Sequence, residues 1–295
     1  MTAAQLTALL EEQRGIMEVL AQKVARPTES ALLKTQARIV QSLARFEGTV
    51  DTASRTAALN TARRIVADAG LEAAQRMKDD APGIIKAGAM RTRELTELLV
   101  PRGDRLDAIV STFMSFEKSI EEKRAFALGS VKLQAFMDKY TVDWESGWSG
   151  TIKGLQAKFT QGAVSSLDWR VISRTIVNES GALVVPGGMD AETFATMFAR
   201  TKVTEIDNLT ARAMGDEAGL ELYVNLGVPD DNQSEDCYDA TNAGAMTMTD
   251  WADSAYDEPP RHPNCRCMLF PVPFDPEISV DNNKYDVERP LEAVA

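Results

Sequence analysis

Apolar residues recur at helical spacing through nearly all of the first half of the chain, and no other feature limits the fold so strongly. Leu6, Leu9, Leu10, Met17, Leu20 and Val24, with Gln13 among them, stand three or four apart, and Pro27 is expected to end that first helix. From Leu32 the steps alternate four and three, through Gln36, Ile39, Leu43, Phe46, Val50, Ala53 and Ala57. Such a repeat keeps one stripe turned towards a partner helix, so it reads as the seam of a coiled coil or of a tight helical hairpin. Helix is expected to continue to about Met77, with Asp79-Asp80-Ala81-Pro82-Gly83 breaking it.

A shorter helix then runs to Val100, and Pro101-Arg102-Gly103-Asp104 reads as a turn, its residues chosen for their backbone preferences. Leu106, Ile109, Val110, Phe113, Phe116, Ile120, Ala127 and Val131 mark a further helix of roughly 35 residues. Trp144, Gly147, Trp148, Gly150 and Gly154 fall close together, as at a hinge or domain junction. The two tryptophans are one helical turn apart and read as core or interdomain packing.

The second half is mixed. Helical patterns cover 164–179 and 190–215, with a loop at Val184-Val185-Pro186-Gly187-Gly188 between them. Residues 220–226 (LELYVNL) and 267–272 (CMLFPV) read as strands, and the polar stretch 228–261 as mostly loop. The expected class is α+β, predominantly α. A helical region over 1–145 carries the coiled-coil-like or hairpin segment, a small α+β domain spans 160–275, and an acidic extended tail covers 276–295.

Charge separates the two halves. Residues 1–140 hold 21 Lys+Arg against 18 Asp+Glu, whereas 141–295 hold 11 against 26, a net of −15 within a total of −12. The acidic half repels phosphate backbones, so non-specific groove binding of DNA is disfavoured there; a solvated acidic surface is the plain alternative. No apolar run approaches the roughly 18 residues of a membrane span. The first 20 residues lack the basic start and unbroken apolar run of a signal peptide. The expectation is a chain made in a cytoplasm, without a membrane partner.

Three cysteines, Cys237, Cys265 and Cys267, and the sole histidine, His262, supply all the soft ligands. Three of them fall within six residues, in Pro259-Pro260-Arg261-His262-Pro263-Asn264-Cys265-Arg266-Cys267, and Cys237 lies 25 residues upstream of His262. One imidazole and three thiolates would complete a tetrahedral zinc site, although Cys-x-Cys is not the spacing of a standard finger. Two other readings stand beside it: thiols packed as small hydrophobes, and a disulfide from Cys237 to Cys265 or Cys267. A His262–Cys265 nucleophile–base pair lacks a second histidine and any Gly-rich or oxyanion signature nearby.

The nonapeptide PPRHPNCRC resembles the C-terminal signature of the phage Mu F-like family, the minor head or head-morphogenesis proteins of tailed bacteriophages. Upstream, DDNQSEDCYDATNAG (230–244) is similar to the family's acidic segment, with Asp230, Ser234 and Cys237 on its positions; Ser234 stands where some members have a cysteine. Arg200-Thr201, Glu205 and Asn208 resemble the family's preceding helix. The resemblance covers 195–272, and the helical first half matches no motif of the family.

It implies a low-copy virion component that binds the portal protein, sits inside the capsid near the portal vertex and acts in capsid assembly or genome packaging and ejection. Scaffold or major capsid protein would be further partners, and packaged DNA a neighbour met without sequence specificity. Such a protein binds and does not catalyse. On this reading Asp230 and Ser234 support the His/Cys cluster by hydrogen bonds, and Leu32, Ile39, Leu43 and Phe46 are either a contact face, including one for self-association, or an intramolecular core. The rival reading is a phage-delivered enzyme or toxin carrier, against which residues 1–140 offer no His, no Cys and no clustered Gly loop.

Overall fold

The computed structural model describes residues 3–100, 102–172, 189–227, 233–256, 258–273, 278–281 and 284–287. Its helices are α1 (Ala3–Leu43), α2 (Thr52–Leu99), α3 (Asp104–Glu121), α4 (Ala125–Ser130), α5 (Leu133–Gly147), α6 (Ser149–Val164), α7 (Ala191–Glu217), α8 (Glu235–Asn242) and α9 (Met248–Asp253). Its strands are β1 (Leu222–Leu226), β2 (Met246–Thr247), β3 (Met268–Val272), β4 (Ile278–Asp281) and β5 (Lys284–Val287). The class is α+β and predominantly α, with the small sheet in the C-terminal part. Among the described residues no helix is long and apolar enough to cross a membrane.

Two compact units emerge, and each mixes early and late segments. One comprises Met1–Gln22, Asp80–Gln134 and Phe198–Ala295, the other Lys23–Asp79 and Ala135–Met197. Neither coincides with the span 1–145 or 160–275, because α1, α2 and α7 each contribute residues to both.

Pro27 does not end α1, and Pro82 does not end α2; both lie inside their helices. A proline within a helix costs about 3 kcal/mol through its missing donor and ring clash. Burial on both sides offsets that cost, at about 1.5–3 kcal/mol for each large apolar side chain. Val24, Ala25 and Leu32 are buried around Pro27, and Met77, Ala81, Ile84 and Ile85 around Pro82.

The heptad seam, by contrast, is interrupted where the sequence predicts unbroken helix. α1 stops at Leu43, and Gly48 takes φ +79°, where a side chain would be strained. Val50 N donates to Leu167 O and Trp169 N to Gly48 O, both at 3.0 Å, so this turn is tied to the segment after α6. α2 restarts with Asp51 and Ser54 capping one another: Ser54 N donates to Asp51 Oδ1 at 2.7 Å and Asp51 N to Ser54 Oγ at 3.0 Å. The restart changes the phase, leaving Ala53 and Ala57 exposed while Ala58, Ala62 and Val66 are buried. Leu32, Ile39 and Leu43 are wholly buried, and the Phe46 ring lies 5.0 Å from that of Trp169. Leu32, Ile39 and Leu43 are therefore intramolecular core, and Phe46 is half-buried against Trp169.

In the same unit, Trp144 and Trp148 are fully buried on α5 and at its end, their ring centroids 6.5 Å apart. Gly70 lets α2 approach: a Cβ there would stand 2.9 Å from Trp144 Cδ1. The stretch 140–154 is thus helical on either side of Trp148, with Tyr140, Trp144, Trp148 and Ile152 buried. Of the pattern at 164–179, α6 ends at Val164 and a helical turn resumes at 169–172; its remainder and the loop at 184–188 lie outside the described residues. Nor is the predicted helix over 106–131 continuous. Lys123, at φ 50°, and the bond from Arg124 N to Ser119 O (2.9 Å) close α3 before α4 begins.

The other unit holds the sheet, in the order β2-β1-β3, all antiparallel. β1 and β3 pair from Leu222↔Val272 to Leu226↔Met268, bearing out the two predicted strands. Val224, Leu226, Met268, Phe270 and Val272 pack with Leu6 and Leu10 of α1 and Leu95 and Leu99 of α2. Tyr223 and Leu269 cluster instead with Ala240 of α8 and Trp251 of α9. A sheet covered on both faces explains why β3 is buried at every position. The stretch 228–261, expected to be mostly loop, carries α8 and α9 because each has a strong start: Ser234 caps α8, and Thr247 and Asp250 form a capping box on α9. In the tail, β4 and β5 form a two-stranded antiparallel sheet where an extended segment was expected.

Candidate metal centre

Cys237 is placed by a helix start. Ser234 Oγ accepts from Cys237 N at 3.3 Å as the α8 cap, and Glu235 and Asp236 in the first turn complement the helix dipole. Thr241 Oγ1 then donates to Cys237 O (2.8 Å) and accepts from Asn225 Nδ2 (2.9 Å) and Gly227 N (3.1 Å), which joins α8 to the end of β1.

Cys265 and Cys267 are placed by a tight turn feeding β3. Cys265 N donates to His262 O at 3.1 Å, and Asn264 takes φ +67°, a left-handed conformation that asparagine tolerates well. α7 holds this turn from beside it. Asn264 N donates to Thr201 Oγ1 (2.8 Å) and Arg200 Nη1 to Asn264 Oδ1 (3.3 Å). Asn208 Nδ2 donates to Cys267 O (3.1 Å) and Pro259 O (3.3 Å), while its Oδ1 accepts from Leu269 N (2.7 Å).

All three cysteines are buried, none is in a disulfide, and their sulfurs lie within 4.8 Å of one another, close enough to hold a metal ion together. Cys237 Sγ and Cys265 Sγ are 3.8 Å apart. Four ligands at Zn–S distances of 2.3 Å would set tetrahedral edges of about 3.8 Å, so the donor set fits a small thiophilic cation.

His262 touches the cluster on one side, at Cys237. Its Nδ1 lies 2.9 Å from Pro263 O, which can only accept, so Nδ1 carries the proton. Nε2 then faces Cys237 Sγ at 3.2 Å and Ser234 Oγ at 3.1 Å. Thiol protons are shared unequally in the cluster. Hydrogen bonds from Cys237 and then Cys267 hold Cys265 far down, to about 2. Hydrogen bonds with Cys237 and then Cys265, with burial added, push Cys267 well up.

The structure thus brings Cys237, Cys265 and Cys267 together, whereas His262 meets only Cys237 of the three and is bonded to Ser234, its nitrogens lying outside the group of mutually close donors. Arg200, Thr201 and Asn208 stand in the supporting network, whereas Glu205 pairs with Lys202 at 2.7 Å. Asp230 lies outside the described residues.

Three supports were missed in the sequence. Asn225 accepts from Arg261 Nη1 at 3.0 Å, and the Arg261 guanidinium lies 5.3 Å from the Trp251 ring centroid. An asparagine inside an apolar strand was the available signal. Arg91 and Asp207 form a buried ion pair beneath α7. Its trace in the sequence was Gly88 in mid-helix, since a Cβ there would stand 2.6 Å from Asp207 Oδ1. Compared with protein-family models, curated proteins and solved structures, the chain matches none.

Proposed function

We propose that this chain is a minor head protein of a tailed bacteriophage, built into the virion in few copies at the portal vertex. In this reading Cys237, His262, Cys265 and Cys267 hold a structural zinc. The observation that carries the proposal is the convergence of the separated segments that resemble the Mu F-like family. Arg200-Thr201 and Asn208 on α7, Ser234 and Cys237 on α8, and the nonapeptide before β3 meet in one hydrogen-bonded cluster. Residues up to 67 apart along the chain have no local reason to resemble one motif and also touch.

Zinc, when bound, would supply four coordinate bonds that cross-link α8 to the turn before β3. His262 presents Nε2 because Pro263 O fixes the tautomer, and Ser234 limits where the ring can turn. Burial of the three sulfurs excludes water and suits a closed, structural site. The role is one of binding: a rigid C-terminal cluster presents the chain to the portal protein, with scaffold or major capsid protein as further contacts. The acidic second half tolerates packaged DNA beside it without retaining it.

The test is co-expression with the portal protein encoded in the same genome, followed by size-exclusion chromatography and mass spectrometry of purified virions. Co-elution, together with a few copies per virion, is the expected result. A chain that never co-elutes with portal and is absent from virions overturns the proposal.

A further inference from the structure

The cysteine cluster is closed except at one edge. A small cleft of about 20 Å³ is lined there by Cys237 and Cys267, together with Gln233, Ser234 and Asn264. One water needs about 10–15 Å³ of such space, so the cleft admits a molecule of one or two heavy atoms and nothing bulkier. Asn264 is exposed, and the cleft reaches solvent beside it. Cys265 is wholly buried and does not line it.

Cys237 joins that edge to the interior. It lines the cleft, and its sulfur lies 3.8 Å from Cys265 Sγ, 28 residues further along the chain. A disulfide bond is about 2.05 Å long, so the two sulfurs need to approach by less than about 2 Å. All three thiols are free, and the sulfur of Cys267 lies within 4.8 Å of the other two. Packing as small hydrophobes would explain their burial, but not two sulfurs in contact beside a polar opening.

We infer that Cys237 and Cys265 form a dithiol that hydrogen peroxide, entering by the cleft, converts to a disulfide. Cys237 Sγ attacks one peroxide oxygen; the O–O bond breaks, and the other oxygen leaves as water with the thiol proton. Cys265 Sγ then attacks the sulfur of the resulting sulfenic acid; the S–S bond forms, the S–O bond breaks and a second water leaves. The two thiols lose two electrons and two hydrogens, and one peroxide is reduced to two waters. The inference shares the cluster of the zinc reading but needs only its thiols. Where zinc is bound, loss of two thiolates releases it, and the disulfide ties α8 to the turn before β3 in the metal's place.

The test uses the full chain, purified under reducing conditions and then freed of reductant. It is treated with stoichiometric hydrogen peroxide, alkylated in denaturant and mapped by mass spectrometry. The expected result is loss of two free thiols per chain and a Cys237–Cys265 bridge that a thiol reductant reopens. Glutathione disulfide, too bulky for the cleft, should react at least about tenfold more slowly. Cys237→Ser should leave Cys265 reduced, and mapping of the parent decides the matter if that variant does not fold. Zinc released into a chromophoric chelator is read in the same samples. A bridge formed in protein that carried no zinc supports this inference and refutes the metal; zinc carried without bridge formation overturns this inference and leaves the metal standing. Three free thiols after peroxide, a different pairing, single cysteines oxidised without a bridge, or equal rates with glutathione disulfide would each overturn it.

Discussion

The side chain of Asn208 on α7 donates to the carbonyl oxygen of Cys267 at 3.1 Å, one residue before β3 begins. Its own Oδ1 accepts from Leu269 N on the other side of Met268, so one amide replaces a missing strand partner. The same Nδ2 also reaches Pro259 O. A single buried side chain thereby sets where the cysteine-bearing turn enters the sheet.

Asn208→Ala leaves the Leu269 N–H and the Cys267 carbonyl without that partner in a buried setting. Each such group costs about 1–3 kcal/mol, so a loss of roughly 2–4 kcal/mol in urea unfolding is expected. Asn208→Asp retains the acceptor and should recover part of it. An alanine variant as stable as the parent would show that the clamp is idle.

Protein purified under reducing conditions should contain one zinc per chain by elemental analysis, and Cys265→Ser should contain none. His262→Ala, which keeps three thiolates, should bind at least about tenfold more weakly. Ser234→Ala should still bind zinc but lose about 1 kcal/mol of stability with the α8 cap. Absence of zinc from well-folded parent protein would refute the site.

Removing one member of the Arg91–Asp207 pair strands a charge in the interior. Asp207→Ala should destabilise by about 3–5 kcal/mol, whereas Arg91→Met combined with Asp207→Leu should restore most of the loss. Gly88→Ala should also destabilise, because the new methyl would meet Asp207 Oδ1. Thermal unfolding of the four proteins checks both statements.

Glu18 tests the ion pair with Arg200. The hydrogen bond from Arg200 holds its carboxyl below the ordinary 4.5. A depressed carboxyl stabilises the fold above its unfolded value and loses that contribution as pH falls through the folded one. Glu18→Gln should therefore cost stability at pH 7, and the difference from the parent should close as pH drops below 4.5. Because Glu18 is 38% exposed, screening keeps the effect under about 1 kcal/mol. A gap that stays constant from pH 7 to below 4 would assign the loss to packing.

Local chemistry made part of this protein legible from its sequence. Period-two alternation in 220–226 and the apolar run of 268–272 announced β1 and β3, and three soft ligands within six residues marked the cluster with Cys237. These signals survive because each depends on near neighbours. What depended on distant neighbours was decided only by tertiary structure. Pro27 and Pro82 sit inside helices because buried side chains on both flanks outweigh a local penalty of about 3 kcal/mol. The seam from Leu32 breaks after Leu43 because the turn at Gly48 bonds to Leu167 and Trp169, more than a hundred residues away. Asn208, Asn225 and Asp207 likewise acquire their roles from partners that no local pattern specifies. Their cost of burial is met only once those partners are in place.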